Sequence, residues 1–462
     1  MLSRYRRWKV KRKRYEEDSL PSPADGSRRL VVGFALIILI GALLLRLPIS
    51  TQGEAVSFVD ALFTATSAVT VTGLTVSSTA ETYSLFGQFI ILLLLQVGGI
   101  GFVSLSVVLF RLAGRQVVFH ERVMLQQELG VEKSVGVFRT TVNVLLVVVA
   151  IELIGAALLF VRWVGELPVA DAAYLAIFHS ISAFCNAGFD LFAGTQYPVM
   201  FGYGTDAWTL TILGLLILIG GLGVVVIDDI LTVRRSRLTL HTRITLRMTL
   251  LLTLLGCVMI FADEAFSGTL FRAMGMEDRL TTGIFTVVSA RTAGITILPL
   301  EQMSQASQLI LMLWMFIGGA PSSMAGGVSM STVAVLAVAM GASVKGKSQA
   351  IVLERALPSE TIMKAMAVMT VSTLVVVVAT LLLVVIDRGS IALFNLGFEV
   401  VSAFSNTGYS LGVTPNLTTS GRLLIAFVMF WGRLGPLTLV VVLAQRQRTS
   451  NVQYPEEKVI LG

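Results

Sequence analysis

The sequence predicts an all-α integral membrane fold: four tandem helix–pore loop–helix repeats, with eight transmembrane helices and four re-entrant pore helices around one central pore. Three observations predict it. Long uncharged apolar runs punctuate the chain. A phrase beginning Phe-x-x-x-Ser-Ala and closing on Gly occurs four times. A second, Gly-rich phrase follows each copy.

The apolar runs come first. Of 462 residues, 55% are hydrophobic and 14% charged, where an average soluble domain has about 25% charged. No charge falls in residues 30–45, 85–110, 140–151, 207–227, 248–262, 303–344, 365–386 or 423–432. A membrane-crossing helix needs roughly 20 mostly apolar residues, and these runs reach that length alone or with their flanks.

The first phrase reads Phe63-Thr-Ala-Thr-Ser-Ala-Val-Thr-Val-Thr-Gly73 and Phe178-His-Ser-Ile-Ser-Ala-Phe-Cys-Asn-Ala-Gly188. It returns as Phe285-Thr-Val-Val-Ser-Ala-Arg-Thr-Ala-Gly294, one residue shorter, and as Phe398-Glu-Val-Val-Ser-Ala-Phe-Ser-Asn-Thr-Gly408. The second phrase is Gly98-Gly99-Ile100-Gly101, Gly220-Gly221-Leu222-Gly223, Gly318-Gly319-Ala320-Pro321 and Gly432-Arg433-Leu434-Gly435. It starts 25, 32, 24 and 24 residues after the first phrase's Gly. Glycines alone suit ordinary helix packing in membranes; two phrases paired in the same order four times are specific.

Each unit therefore predicts a first helix, at about 30–47, 140–162, 245–262 and 363–386. A half-helix too short to span follows, then a polar non-helical stretch through the Gly, then a second long helix. Non-helical backbone at membrane depth is tolerated where protein buries it or where it lines a water-filled cavity. The boundaries are a basic cytoplasmic tail at 1–29, then units at 30–111, 139–235, 245–344 (with a broken second helix) and 362–445. A cytoplasmic C-terminal tail follows at 446–462. Of 35 Lys and Arg, 27 fall on the predicted inner segments 1–29, 111–139, 234–247, 345–364 and 446–458, and six on outer positions. Cytoplasmic loops collect positive charge, so both termini are expected in the cytoplasm.

A permeating cation must exchange its hydration shell for oxygen ligands, and rings of backbone carbonyls supply them in potassium filters. Turning carbonyls toward an axis often needs φ > 0, which Gly permits at little cost. Gly73, Gly188, Gly294 and Gly408 are placed for this. The expected filter carbonyls are those of Val71, Thr72 and Gly73, of Asn186, Ala187 and Gly188, of Thr292, Ala293 and Gly294, and of Asn406, Thr407 and Gly408. Only one Gly per loop predicts a short filter.

Val71-Thr72-Gly73-Leu74, Asn186-Ala187-Gly188-Phe189, Ala290-Arg291-Thr292-Ala293-Gly294 and Asn406-Thr407-Gly408-Tyr409 resemble the four filters of the Trk/Ktr/HKT superfamily, over about residues 30–462. The stretch before the first unit is too short for the extra helix pair of the Trk branch. Gly432-Arg433-Leu434-Gly435-Pro436-Leu437-Thr438 and Tyr454-Pro455-Glu456-Glu457-Lys458 also look like the Ktr branch. The resemblance implies potassium uptake across a bacterial cytoplasmic membrane by a homodimer. Sodium would be a coupling or activating ion. A cytoplasmic KtrA-like ring that binds ATP or ADP would be the partner, with no cofactor held by this chain. A less selective sodium/potassium channel of the same fold is the alternative.

Arg433 stands where the other second helices carry Gly. An intramembrane Arg usually faces a cavity or a partner, so it predicts an electrostatic barrier below the filter; a salt bridge buried between helices is the other reading. Gly318, Gly319, Pro321, Gly326 and Gly327 should break the third second helix into a loop that obstructs the pore from inside, or else a static kink. Arg291, beside the third filter, is expected to pair with Glu399 and brace the filter. Asp190 either concentrates cations at the outer mouth or caps a turn.

Other classes fit poorly. Gly341-Ala-Ser-Val-Lys-Gly-Lys-Ser348 matches a phosphate-binding loop letter for letter. Such a loop must follow a strand and open a helix, whereas this stretch follows a membrane helix. The basic segments read as contacts for lipid headgroups or a partner, not nucleic acid. Two cysteines and three scattered histidines make no metal set, and no nucleophile or acid pair suggests an enzyme.

Overall fold

The computed structural model describes residues 23–53, 55–101, 137–192, 203–232, 238–267, 274–321 and 323–435. The basic segments 1–22 and 111–136 and the tail 446–462 lie outside the described residues.

The chain is mostly helical. The first stretch holds α1 (Pro23–Leu45), α2 (Phe58–Val69) and α3 (Leu85–Ile100). The second holds α4 (Val137–Trp163), α5 (Val169–Phe184), α6 (Ala207–Leu222) and α7 (Val224–Thr232). The third holds α8 (Leu240–Ser267), α9 (Met276–Ala290), α10 (Gln305–Phe316) and α11 (Met330–Val344). The fourth holds α12 (Ser359–Asp387), α13 (Leu393–Ser405) and α14 (Thr419–Leu434). The first helix of each stretch is longer than its uncharged run, and α1 begins within the expected basic tail.

Local chemistry starts the second helix of each unit at the same place. Ser84, Asp206, Ser304 and Thr418 each cap a helix by accepting from a backbone N–H in its first turn, the role for which short oxygen side chains are selected.

One expectation on the second helices is corrected. A break was expected in the third alone, but α3, α6 and α14 also end at a glycine, Gly101, Gly223 and Gly435, with φ of 96°, 86° and 79°. After Gly223 the chain resumes as α7, bent by 96°. Among the described residues three helices are long and apolar enough to cross a membrane: Val142–Trp163, Leu240–Phe266 and Ser359–Asp387. The bent pair α6 and α7 makes a fourth. Helices α3 and α14 have 16 residues each, and the segments that follow them, 102–136 and 436–462, lie outside the described residues.

Packing runs in a circle. Helix α3 packs on α5, α6 on α9, α10 on α13, and α14 on α2. Each of these helices therefore contacts the short helix of the next stretch, and the last returns to the first. The phosphate-loop look-alike forms the last turn of α11 and the link to a hairpin of β1 (Ile351–Val352) and β2 (Arg355–Ala356). Its Lys345 closes a helix and its glycine opens none, so the strand–loop–helix setting is missing.

Candidate functional site

The four segments after α2, α5, α9 and α13 share one backbone pattern. Two residues before each Gly, φ is positive: 58° at Val71, 58° at Asn186, 105° at Thr292 and 52° at Asn406. At the glycines it is 87°, 69°, 63° and 96°. Asn tolerates the left-handed region, but for β-branched Val71 and Thr292 it is strained. Backbone strain of this kind costs on the order of 1–3 kcal/mol per residue and gathers at functional sites.

The glycines also need their missing side chains. A Cβ on Gly73 would collide with the carbonyl oxygen of Ala187, one on Gly188 with that of Ala293, one on Gly294 with that of Thr407, and one on Gly408 with that of Thr72. Each glycine thus faces the carbonyl preceding the next glycine, and the fourth returns to the first. The four segments form a closed ring of backbone oxygens.

Side chains behind the ring hold it. Leu74, Phe189, Ile295 and Tyr409, the residues after the glycines, are each about 1% exposed. The Ser of every Ser-Ala pair reaches forward along its own loop. Ser67 and Ser402 hydroxyls accept from the N–H of Gly73 and Gly408, both at 3.0 Å. Ser182 and Ser289 hydroxyls donate to the carbonyls of Phe189 (2.8 Å) and Ile295 (3.0 Å). Sequence reading used these serines only as repeat markers; their fourfold recurrence was the signal that they bind the loop.

Outside the ring lies a cavity of about 470 Å³, lined by the four glycines and by Asp190 and Glu301 among others. Asp190 accepts from the Phe192 N–H at 2.8 Å and lies 3.0 Å from His179 Nε2. It therefore both lines the cavity and caps a turn.

The expected Arg291–Glu399 pair is not made. Glu399 is fully buried and accepts from Ser410 at 2.8 Å and from Thr414, both just beyond Gly408. Arg291 is 6% exposed and donates to the Thr249 carbonyl at 3.4 Å, beside the Met330 sulfur. Each finds partners nearby instead, Arg291 a backbone carbonyl and Glu399 two hydroxyls. Glu152, on α4, accepts from Gln96 Nε2 at 2.7 Å.

Inside the ring, α10 stops at Phe316 and α11 starts at Met330. The base of the intervening loop is closed by Gly318 N–H to the Val328 carbonyl (2.9 Å) and Val328 N–H to the Phe316 carbonyl (3.3 Å). Ala320 N–H donates to the Gly221 carbonyl at 3.0 Å and Met324 N–H to the Gly220 carbonyl at 3.4 Å. Arg433 donates to the carbonyls of Met324 and Gly98, and to that of Gly99 at 3.4 Å. The arginine thus ties the loop to the glycine phrase of α3. Gly319, Pro321, Gly326 and Gly327 all lie in this loop.

The family model for a cation transport protein, TrkH, matches residues 11–454. Over 439 residues the chain is 36% identical to the potassium/sodium uptake protein NtpJ of Enterococcus hirae, covering 94% of this chain and 96% of that one. It is 35% identical to the Ktr system potassium uptake protein B of Bacillus subtilis, covering 94% and 96%. The crystal structure of the potassium transporter TrkH from Vibrio parahaemolyticus matches with a TM-score of 0.71 at 19% identity, over 92% of this chain and 86% of that one. With a family match across nearly its whole length, this chain belongs to the TrkH family of membrane cation transport proteins, which are transporters rather than enzymes.

Proposed function

We propose that this chain carries potassium into a bacterial cell through a filter formed by the carbonyls of the four glycine segments, each segment the pore loop of one repeat. The observation that carries the reading is the closed ring in which each filter glycine abuts the next segment's carbonyl. Such a ring offers a cation oxygens at fixed spacing, and the cost of building it is met by the protein before the ion arrives.

The inner gate in this reading is the 318–327 loop with Arg433. A guanidinium below the filter opposes a departing cation. The same side chain grips the loop through the Met324 carbonyl, so loop withdrawal and movement of the charge go together. Glu399 and the four serines brace the filter, and Asp190 and Glu301 raise cation concentration at the mouth.

Sodium acts as coupling or activating ion, and both termini lie in the cytoplasm, in keeping with the placement of Lys and Arg. The chain works as a homodimer on a nucleotide-binding ring; a relative from Bacillus subtilis is named as part of a Ktr system. A less selective sodium/potassium pathway is the second reading, favoured by a single glycine per segment and by a relative named for both ions.

The test is growth and rubidium uptake of a potassium-uptake-deficient bacterium at low potassium and varied sodium, with and without a ring partner. Rescue that disappears on Gly73→Asp or Gly408→Asp supports the reading. No rescue with the partner present, despite correct membrane insertion, counts against it.

A further inference from the structure

Two of the four filter segments carry Asn two residues before the glycine, and both side chains are fully buried. Their amides are bonded differently. In the orientation that satisfies it, Asn186 Nδ2 donates to the carbonyls of Ala183 (3.0 Å) and Ile217 (3.1 Å), leaving its oxygen beside the Thr292 hydroxyl. Asn406 Nδ2 donates to Thr72 Oγ1 and to the Met429 carbonyl, both at 2.9 Å. Its oxygen Oδ1 accepts from no donor among the described residues.

A buried amide oxygen left without a donor is uncommon and asks for a reason. Its neighbours supply one. A Cβ on Gly326 would collide with Oδ1, and one on Gly432 would lie 3.0 Å from it. A Cβ on Gly327 would lie 3.1 Å from the Cα of Ser405. The loop therefore rests on the inner end of the fourth filter segment, and Gly326 covers the Asn406 oxygen.

We propose that Asn406 is a specificity-determining residue whose side-chain oxygen is masked by Gly326 and becomes a ligand for the permeating cation when the loop withdraws. The inference rests on the proposed function and adds to it a conditional site. An amide oxygen is a hard, neutral ligand of the kind alkali cations accept. In the proposed function the loop obstructs the ion's path, so its withdrawal opens the oxygen that Gly326 covers to the ion. The donor half of the same amide stays on Thr72, so the filter need not spread when the oxygen is uncovered. The left-handed backbone at Asn406 is one that Asn adopts readily.

The experiment measures rubidium influx and its inhibition by sodium in proteoliposomes. It compares the full chain with a chain lacking residues 323–326, each with and without Asn406→Gly. Glycine keeps the left-handed backbone and removes the oxygen. We expect the substitution to weaken rubidium-over-sodium preference at least fivefold more in the shortened chain than in the full one. Asn186→Gly, whose oxygen sits away from the loop, should have the same effect in both. Where the glycine variant does not fold, Asn406→Asp carries the test: it keeps an oxygen there and adds charge, so it should lower the rubidium KM only in the shortened chain. Equal effects of Asn406 substitution in both chains, or equal loop dependence at Asn186, would overturn the proposal. Full chain that passes neither ion would instead overturn the proposed function, and this inference with it.

Discussion

The second helix of the third unit and its three counterparts use the same small residues for opposite purposes. A Cβ on Gly98 would collide with the Val69 carbonyl, one on Gly220 with that of Phe184, and one on Gly432 with that of Phe404. In these units the glycine lets a helix seat on the last turn of a short helix, directly behind the ring of backbone oxygens. In the third unit the corresponding Gly318 would collide with the carbonyl of Gly326, within its own loop. One position seats a helix behind the ring three times and folds a loop once. Small size is therefore not the functional property; what the missing side chain makes room for is.

Substitutions separate the two uses of glycine. The largest effect is expected at the clamps. Gly432→Ala drives a methyl into the Phe404 carbonyl, and overpacking of this kind costs on the order of 1–3 kcal/mol. Melting in detergent should fall and rubidium uptake should be lost. Gly341→Ala, where nothing lies within 4 Å, should leave the melt unchanged or slightly raised. Equal melting of the two variants would remove the clamp.

Next comes the gate. Removing residues 320–325 should raise rubidium flux about tenfold, the effect of about 1.4 kcal/mol on a barrier; unchanged flux would make the loop a static kink. Arg433→Ala acts on the same gate from the other side, by removing the charge and the Met324 tie. Flux should rise by less than with the deletion, and combining the two should add little.

Bracing behind the filter comes third. Glu399→Ala strands the Ser410 and Thr414 hydroxyls, and unsatisfied buried donors cost about 1–3 kcal/mol. Stability and ion preference should both fall, while Arg291→Met should alter stability without moving Glu399's partners, as the two do not pair. The smallest effect is at the outer edge. Arg162, and after it Tyr203, hold the Glu166 carboxyl below its ordinary range. That contribution is present above the unfolded-state pKa and is lost as pH falls through the lowered folded value. Glu166→Gln should therefore match the parent in thermal melts at acid pH below that value and be marginally less stable at neutral pH, since exposed pairs contribute little.

Much of this was legible in the residues. The recurrence of Phe-x-x-x-Ser-Ala located α2, α5, α9 and α13, because a short amphipathic helix closed by a polar turn repeats its own signals. Gly73, Gly188, Gly294 and Gly408 stood out because a ring of close carbonyls leaves no room for a Cβ. What was not legible depended on which side chains meet across units. Arg291 and Glu399 looked like partners because both lie near a filter and opposite charges attract; in the fold each turns to nearby backbone or hydroxyl groups. The breaks at Gly101, Gly223 and Gly435 were hidden because a glycine inside an apolar run reads equally as helix packing. The serines' loop-holding bonds were hidden because a hydroxyl's partner is set by folding, not by its neighbours in sequence.

The central claim is that four non-identical segments make one ring, with every glycine needed. It is tested most directly by replacing Gly73, Gly188, Gly294 and Gly408 with Ser one at a time and measuring rubidium-over-sodium preference in proteoliposomes. Each replacement should alter preference, because each adds a Cβ against the next segment's carbonyl. A replacement at any one of the four that leaves flux and preference unchanged would contradict the ring.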